Sequence, residues 1–143
     1  MAAIATGRAR ALPNSIWVEL TTDGTTGWSS FAFLAFPGDV IDRTAEVVAG
    51  LGGIPSAETM LELGLLVAEF FASDEPPSDV VVSAAPTVGD LGEVIYDVIG
   101  LGDDAVRGFR LHVFGTPEGG SFALKSVEAT LLCSRGVSGG LCN

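Results

Sequence analysis

The sequence predicts an α+β fold with a mostly antiparallel sheet, a hairpin near each end of the chain and about three helices inserted between the hairpins. Apolar and polar side chains alternate on both sides of short turns near the two ends, which is typical of antiparallel hairpins. The middle of the chain instead contains segments with the 3.6-residue spacing of helices. The resulting order of two strands, two helices, a strand, a helix and two strands favours the α+β class.

The chain has 143 residues, a length that fits one ordinary domain. Residues 1–14 show no hydrophobic periodicity and end in Pro13-Asn14, a pair that favours a turn. We therefore expect residues 1–14 to form a flexible N-terminal arm. Residues 15–143 are then expected to form a single α+β domain.

The first strands and the first helix follow this arm. In residues 15–22 every second side chain is isoleucine, valine or leucine, as in a half-buried strand, and Asp23-Gly24 begins a turn. Residues 28–36 are predicted as the second strand, and their phenylalanines indicate a strand that is covered on both sides. Residues 39–49 are predicted as the first helix, because an aspartate suits its N-cap and several glycines follow its end.

The second predicted helix, residues 57–72 with Ser56 as its N-cap, has a narrow polar side. Its charged residues lie within about 40° of one another on a helical wheel, and they are Glu58, Glu62 and Glu69. Nearly all of the remaining circumference is apolar, so we expect this helix to be central to the fold or covered by a partner. The candidate interface residues are Leu63, Leu66, Val67 and Phe70 on this helix, together with Arg8 and Arg10 of the arm.

The remaining chain is predicted to contain a strand, a third helix and a hairpin. Residues 80–84 form a short apolar strand. Residues 87–98 are predicted as the third helix, because a capping-box spacing is followed by apolar residues at i, i+3, i+4 and i+7. These apolar residues are Leu91, Val94, Ile95 and Val98. Residues 106–115 and 121–132 form the C-terminal hairpin.

The charge of the chain is acidic and unevenly distributed. The formal net charge is −11, and residues 39–104 hold fourteen acids against one base, Arg43, which is a local net charge of −13. A protein with so few Lys and Arg side chains cannot neutralise phosphates, so nucleic acid is not expected as a partner. Two explanations of the acidic region remain open: a solvated face, or contact with the less acidic flanks of a neighbouring copy.

No segment of the sequence predicts a membrane span. The longest apolar stretch, residues 60–72, contains Glu62 and Glu69 and is too short to cross a bilayer. The N-terminus does not resemble a secretory signal, because Arg8 and Arg10 interrupt its apolar residues. We therefore expect a soluble protein whose compartment the sequence does not specify.

Cys133 and Cys142 are the two cysteines of the chain and form a candidate disulfide. Three of the eight residues between them are glycine, so the loop can close without much strain. A bridge of this loop length stabilises a fold by roughly 2–3 kcal/mol. Both redox states remain open at this point, because a reducing cytosol would keep two thiols. A bridged chain would favour an extracellular or particle-associated protein.

The sequence predicts no catalytic, cofactor-binding or metal-binding residue. Residues 136–140 match the G-x-S-x-G pattern of a hydrolase, but the acid and the histidine of that mechanism must follow it, and only three residues remain. His112, the single histidine, lies in a strand beside Arg110 and is expected to be a surface side chain. Together with the two cysteines it lacks the fourth ligand and the paired spacing of a zinc site. A non-enzymatic function is therefore favoured, and an enzyme of unrecognised type remains open as an alternative.

The composition favours a structural or interaction protein. Hydrophobic residues make up 48% of the chain and charged residues 17%, whereas charged residues are about 25% of a typical domain. With the apolar second helix, the arm and the segregated charge, this predicts a non-enzymatic subunit of a homo-oligomeric or coat-like assembly, virion proteins included. The alternative is a module that binds a small apolar ligand or a glycan, with Trp17, Trp28 and the phenylalanines in a cleft between sheet and helices.

Overall fold

The structure, a computed structural model, describes residues 2–143 and divides into two compact units. The N-terminal unit is Met1–Ala35 and the C-terminal unit is Phe36–Asn143. The division therefore falls after Ala35, whereas the sequence predicts a boundary after residue 14.

The N-terminal unit is a three-stranded antiparallel sheet. Its strands are β1 (Ile4–Leu12), β2 (Ser15–Thr22) and β3 (Thr25–Ser30), in the order β1-β2-β3. Asp23 and Gly24 connect β2 to β3 with φ angles of 48° and 76°, the left-handed conformation that a two-residue hairpin turn requires. A short 3-10 helix, Phe31–Phe33, follows β3, so the strand predicted over residues 28–36 ends at Ser30.

Strand β1 corrects the prediction of an arm for residues 1–14. All nine residues of β1 are exposed, so the strand lacks the alternation of buried and exposed apolar residues that sequence analysis detects. In β1, alanine and glycine alternate with threonine and arginine. This alternation does not produce the hydrophobic periodicity that predicts a strand. Gly7 has a φ of 87° where the register shifts between Ala5 and Ala9, as expected for a β-bulge.

The C-terminal unit, every residue of which is described, is built on a six-stranded antiparallel sheet with two helices. Its elements are β4 (Phe36–Asp42), α1 (Thr44–Gly50), β5 (Ser56–Ala57), α2 (Met60–Phe71), β6 (Asp79–Val88), β7 (Gly92–Ile99), β8 (Val106–Glu118), β9 (Ser121–Cys133), β10 (Val137–Ser138) and β11 (Leu141–Cys142). The sheet has the order β4-β9-β8-β7-β6, with β5 paired to β9, and β10 pairs with β11 in a separate hairpin. This confirms the mostly antiparallel sheet.

The predicted third helix, residues 87–98, is wrong. Strand β6 extends to Val88, residues 89–91 form a bend, and β7 begins at Gly92 and continues beyond the end of the segment. Alternate residues of β7 are buried, while Ile95 and Ile99 lie on its other face. Apolar residues on both faces of a strand reproduce the spacing of a helix by coincidence. The valines and isoleucines of this segment have β-branched side chains, which favour a strand.

Both helices begin later than predicted. Strand β4 extends through Asp42, so α1 begins at Thr44 rather than at residue 39. Helix α2 lies within its predicted segment, but its N-cap is Thr59 instead of Ser56. The Thr59 hydroxyl accepts a hydrogen bond from the backbone N–H of Glu62, and the Glu62 carboxylate accepts one from the Thr59 N–H, which forms a capping box. Within residues 2–143, neither helix is long and apolar enough to cross a membrane.

The core of the C-terminal unit lies between α2 and one face of the sheet. Its buried cluster consists of Val47, Met60, Leu63, Val67, Ala68, Val94, Tyr96, Val98, Leu111, Val113, Leu124, Val127 and Ala129. Tyr96 adds a polar contact, because its hydroxyl donates a hydrogen bond to the carbonyl of Leu61 at 2.8 Å. The outer side of α2 and the opposite face of the sheet remain outside this core.

Candidate functional site

Helix α2 buries one side and exposes the other, and its predicted interface residues fall on both. Leu63 and Val67 are fully buried in the core. Leu66 is 40% exposed. Phe70 is half-buried, with its ring edge-to-face against Phe71 at a centroid distance of 5.2 Å. Of the four residues, Leu66 and part of Phe70 remain accessible.

The outer side of α2 carries an apolar surface that the core does not use. Leu61, Leu65 and Leu66 are each exposed by 40% or more, and Glu62 and Glu69 are exposed on the same side of the helix. We call these five residues the leucine face. An apolar surface rimmed by charge is typical of an interaction site. The sequence prediction missed Leu61 and Leu65, because a helix that is apolar almost all round does not show which side the sheet covers.

One face of the N-terminal sheet carries both arginines and both tryptophans of that unit. Arg10 lies opposite Trp17 in the strand register, and Glu19 lies opposite Trp28, so these side chains project from the same face. The guanidinium carbons of Arg8 and Arg10 lie 5.9 Å and 5.3 Å from the Trp28 ring centroid, within cation–π range. We call these five residues the arginine–tryptophan face.

Glu19 is the buried member of this face, with 8% of its surface exposed. Its carboxylate accepts hydrogen bonds from the Arg8 guanidinium at 2.9 Å and from the Thr6 hydroxyl at 2.8 Å. The Arg8 side chain is nevertheless 70% exposed. The ion pair therefore holds Arg8 in position over the sheet, while much of its side chain remains accessible to a partner.

A shallow groove of about 350 Å³ lies on this face, lined by Arg10, Leu12, Trp17 and Trp28. The sequence predicts these tryptophans in a cleft between sheet and helices. Both tryptophans belong to the N-terminal unit and both helices to the C-terminal unit, so the cleft between sheet and helices stays a prediction. The two guanidinium groups above the Trp28 ring already cover part of its surface.

The face of the large sheet opposite α2 carries ion pairs between neighbouring strands. Arg110 donates two hydrogen bonds of 2.8 Å to Asp97, and these bonds raise the pKa of Arg110 above its ordinary value. His112 Nε2 lies 3.0 Å from Glu93 Oε2, and its ring stacks on Phe114 at a centroid distance of 4.0 Å. These cross-strand contacts stabilise the sheet surface and place His112 in contact with Glu93 and the ring of Phe114.

The structure contains a Cys133–Cys142 disulfide with a Cα–Cα distance of 5.1 Å. It links the end of β9 to β11, and the Asp39 N–H donates a hydrogen bond to the Gly140 carbonyl at 3.0 Å. Ser138, the central residue of the G-x-S-x-G match, lies in the two-residue strand β10 paired with β11. A nucleophile elbow requires a strand-to-helix turn, so this segment fastens the C-terminus instead.

Within residues 2–143, no group of three or more His, Cys, Asp or Glu side chains is arranged to hold a metal ion. No protein-family model, curated protein or solved structure matches the chain.

Proposed function

We propose that this chain is a non-enzymatic structural subunit that assembles with copies of itself into a coat-like particle, such as a virion. The observation that carries this proposal is the exposure of the N-terminal sheet. Within the described residues 2–35, Glu19 alone is buried, and it is a charged residue. A small sheet needs an apolar face packed against other elements to be stable, which supports contact of this sheet with another copy.

The apolar side chains of the N-terminal unit support this requirement. Ile4 is 77% exposed and Phe33 is 81% exposed, and Leu12 and Ile16 are exposed as well. Ordering the strands costs conformational entropy for every residue. Burying a large apolar side chain contributes roughly 1.5–3 kcal/mol, so burial against other copies can offset that entropy cost.

The leucine face gives the C-terminal unit a second exposed apolar surface. A subunit with two separate interaction surfaces can contact two neighbours at once, which an extended coat requires. Symmetric assemblies of identical chains are the commonest oligomers of soluble proteins. Two surfaces on one chain therefore support a repeating assembly better than a single pair of subunits.

Size-exclusion chromatography with light scattering on the full chain tests this proposal. At micromolar concentration we expect a mass that is a multiple of 14.6 kDa, and electron microscopy should show regular particles, rings or filaments. A species that stays at 14.6 kDa over the whole micromolar range would contradict self-assembly.

The groove on the arginine–tryptophan face favours the second candidate function, a module that binds a small apolar ligand or a glycan. Trp17 and Trp28 are the two tryptophans of the chain, so intrinsic tryptophan fluorescence reports on this groove. A saturable fluorescence change on titration with an oligosaccharide or an alkyl ligand, in a monomeric protein, would favour this alternative. An assembled protein without such a change would favour the structural subunit.

A further inference from the structure

The two exposed faces have complementary chemistry. The arginine–tryptophan face presents two guanidinium groups beside two aromatic rings, and the leucine face presents two carboxylates beside three leucines. Among the described residues, no carboxylate lies within ion-pair distance of Arg10, and no cationic side chain lies within that distance of Glu69. Both charges are therefore available for a contact with another molecule.

We propose that the arginine–tryptophan face of one copy docks on the leucine face of the next copy. This inference rests on the proposed self-assembly and names its two contact surfaces. The leucines would lie against the tryptophan rings and Leu12, and Arg8 and Arg10 would lie near Glu62 and Glu69. Apolar burial supplies the affinity of such a contact, while the charges select the partner surface.

The charge distribution argues for unlike surfaces rather than like ones. Residues 1–35 hold two acids and two bases, whereas residues 36–143 hold sixteen acids and five bases. Pairing two leucine faces would place Glu62 and Glu69 of one copy near the same residues of another, and such like-charge contacts are unfavourable. Docking on the arginine–tryptophan face avoids this repulsion, because Arg8 and Arg10 then lie near Glu62 and Glu69.

A contact between two different surfaces has a structural consequence. Each copy uses its N-terminal unit toward one neighbour and its α2 toward another, so the contact repeats head to tail. Such heterologous contacts generate a ring when the rotation closes and a filament when it does not. Both products are consistent with a coat-like assembly built from a single chain.

Charge reversal on each face, followed by reversal on both, tests the docking. The variants are R10E on one face, E58R/E69R, which reverses Glu69 of the leucine face and Glu58 just outside it, and R10E/E58R/E69R. Arg8 and Glu62 are left unchanged, because Arg8 pairs with Glu19 and Glu62 caps α2. Glu58 is exposed directly before the N-cap of α2. Sedimentation velocity measures the apparent dissociation constant, and thermal unfolding checks that each variant folds.

We expect R10E and E58R/E69R each to raise the apparent dissociation constant on the order of tenfold or more, because like charges then face each other. The R10E/E58R/E69R chain should return close to the wild-type value, and so should an equimolar mixture of the two single-face variants. Arg10→Gln and E58Q/E69Q, which remove charge without reversing it, should weaken association less. Matched controls are K125E and E118R/E128R, which make the same charge changes at exposed positions outside both faces and should leave association unchanged.

Two outcomes would overturn the docking while leaving self-assembly intact. One is an oligomer whose dissociation constant changes no more in R10E than in K125E, and no more in E58R/E69R than in E118R/E128R. The other is weakening in both single-face variants without recovery in the combined variant. A wild-type chain that remains monomeric would overturn the docking and the proposed function together.

Discussion

Gly64 of α2 lies against the ring of Tyr96 on β7, so closely that a Cβ atom on Gly64 would be 2.5 Å from Cε2 of Tyr96. The same Cβ atom would be 2.6 Å from Cγ1 of Val94. The helix can approach the sheet this closely because glycine has no side chain. This approach also allows the Tyr96 hydroxyl to reach the carbonyl of Leu61. Gly64 and Tyr96 therefore set the distance between α2 and the sheet.

Replacing Gly64 with alanine should destabilise the chain although alanine favours helices. Helix propensity alone predicts a gain of about 1 kcal/mol, but the added methyl group overlaps Tyr96 and Val94, and overpacking typically costs about 1–3 kcal/mol. We expect a net decrease in the free energy of unfolding, measured by urea denaturation. Gly89→Ala is the control, because its Cβ would meet no atom within 4 Å. A Gly64→Ala chain as stable as wild type would show that the helix can move outward.

Tyr96 should link stability to alkaline pH. Burial raises the pKa of Tyr96, so the folded chain binds the phenolic proton more tightly than the unfolded chain. The resulting stabilisation is complete below the ordinary tyrosine pKa of about 10 and is lost as the pH rises through the folded pKa. Because Tyr96 is the single tyrosine, tyrosinate absorbance titrates it alone, and its apparent pKa should be higher in the native chain than in urea.

Tyr96→Phe is the matched variant for this titration. It should remove the tyrosinate signal and lower the free energy of unfolding by about 1 kcal/mol at neutral pH, because the hydrogen bond to Leu61 is lost. The difference from wild type should narrow as the pH rises from about 10 through the folded pKa of Tyr96 and stay constant above it. A native apparent pKa equal to or below the value in urea would contradict the raised pKa.

Alanine substitutions at Phe70 and Leu66 should affect folding stability and association differently. Phe70→Ala should cost about 2 kcal/mol, less than the roughly 3–5 kcal/mol of a fully buried phenylalanine, because Phe70 is half-buried. Leu66→Ala should change the free energy of unfolding by about 0.5 kcal/mol or less, since Leu66 is exposed, yet it should weaken association. Urea denaturation and sedimentation velocity measure the two effects. Equal loss of stability in both variants would place Leu66 in the core.

The disulfide should stabilise the C-terminal unit. Cys133 and Cys142 close a loop with a sequence separation of 9, and a loop of this size predicts roughly 2–3 kcal/mol. Reduction, or Cys142→Ser, should lower the free energy of unfolding by about that amount, measured by urea denaturation with and without reductant. Mass spectrometry of the unreduced protein should find no free thiol. Two free thiols in the native chain would argue against a structural bridge.

Sequence patterns predicted those elements that bury one side against a core. Residues 57–72 and the C-terminal hairpin are present close to their predicted bounds, because α2, β8 and β9 each bury one set of residues between exposed ones. Strand β7 matches a helical pattern because Ile95, on its second face, completes the helical spacing of Leu91, Val94 and Val98. Periodicity cannot distinguish such a strand from a helix.

The N-terminal unit and both candidate faces were harder to predict, for a different reason. Strand β1 exposes all of its residues, so its sequence carries no burial pattern. Arg8 and Arg10 were identified as contact residues from charge alone, but their position over Trp28 depends on the register of β1, β2 and β3. The side of α2 that faces outward depends on which residues the sheet covers, which the sequence of an almost wholly apolar helix does not show.

High salt should leave the assembly intact if apolar burial provides most of its free energy. Exposed ion pairs contribute about 0–1 kcal/mol each, whereas burying a large apolar side chain contributes roughly 1.5–3 kcal/mol. The leucine face offers Leu61, Leu65 and Leu66 to such burial, and the arginine–tryptophan face offers Trp17 and Trp28. Raising sodium chloride from about 0.1 M to about 1 M shortens the Debye length, over which charges interact, to roughly 3 Å. Salts that are excluded from the protein surface strengthen apolar contacts. Light scattering should therefore show the same or a larger assembly at the higher concentration, and dissociation over this range would mean that charge pairing dominates the contact.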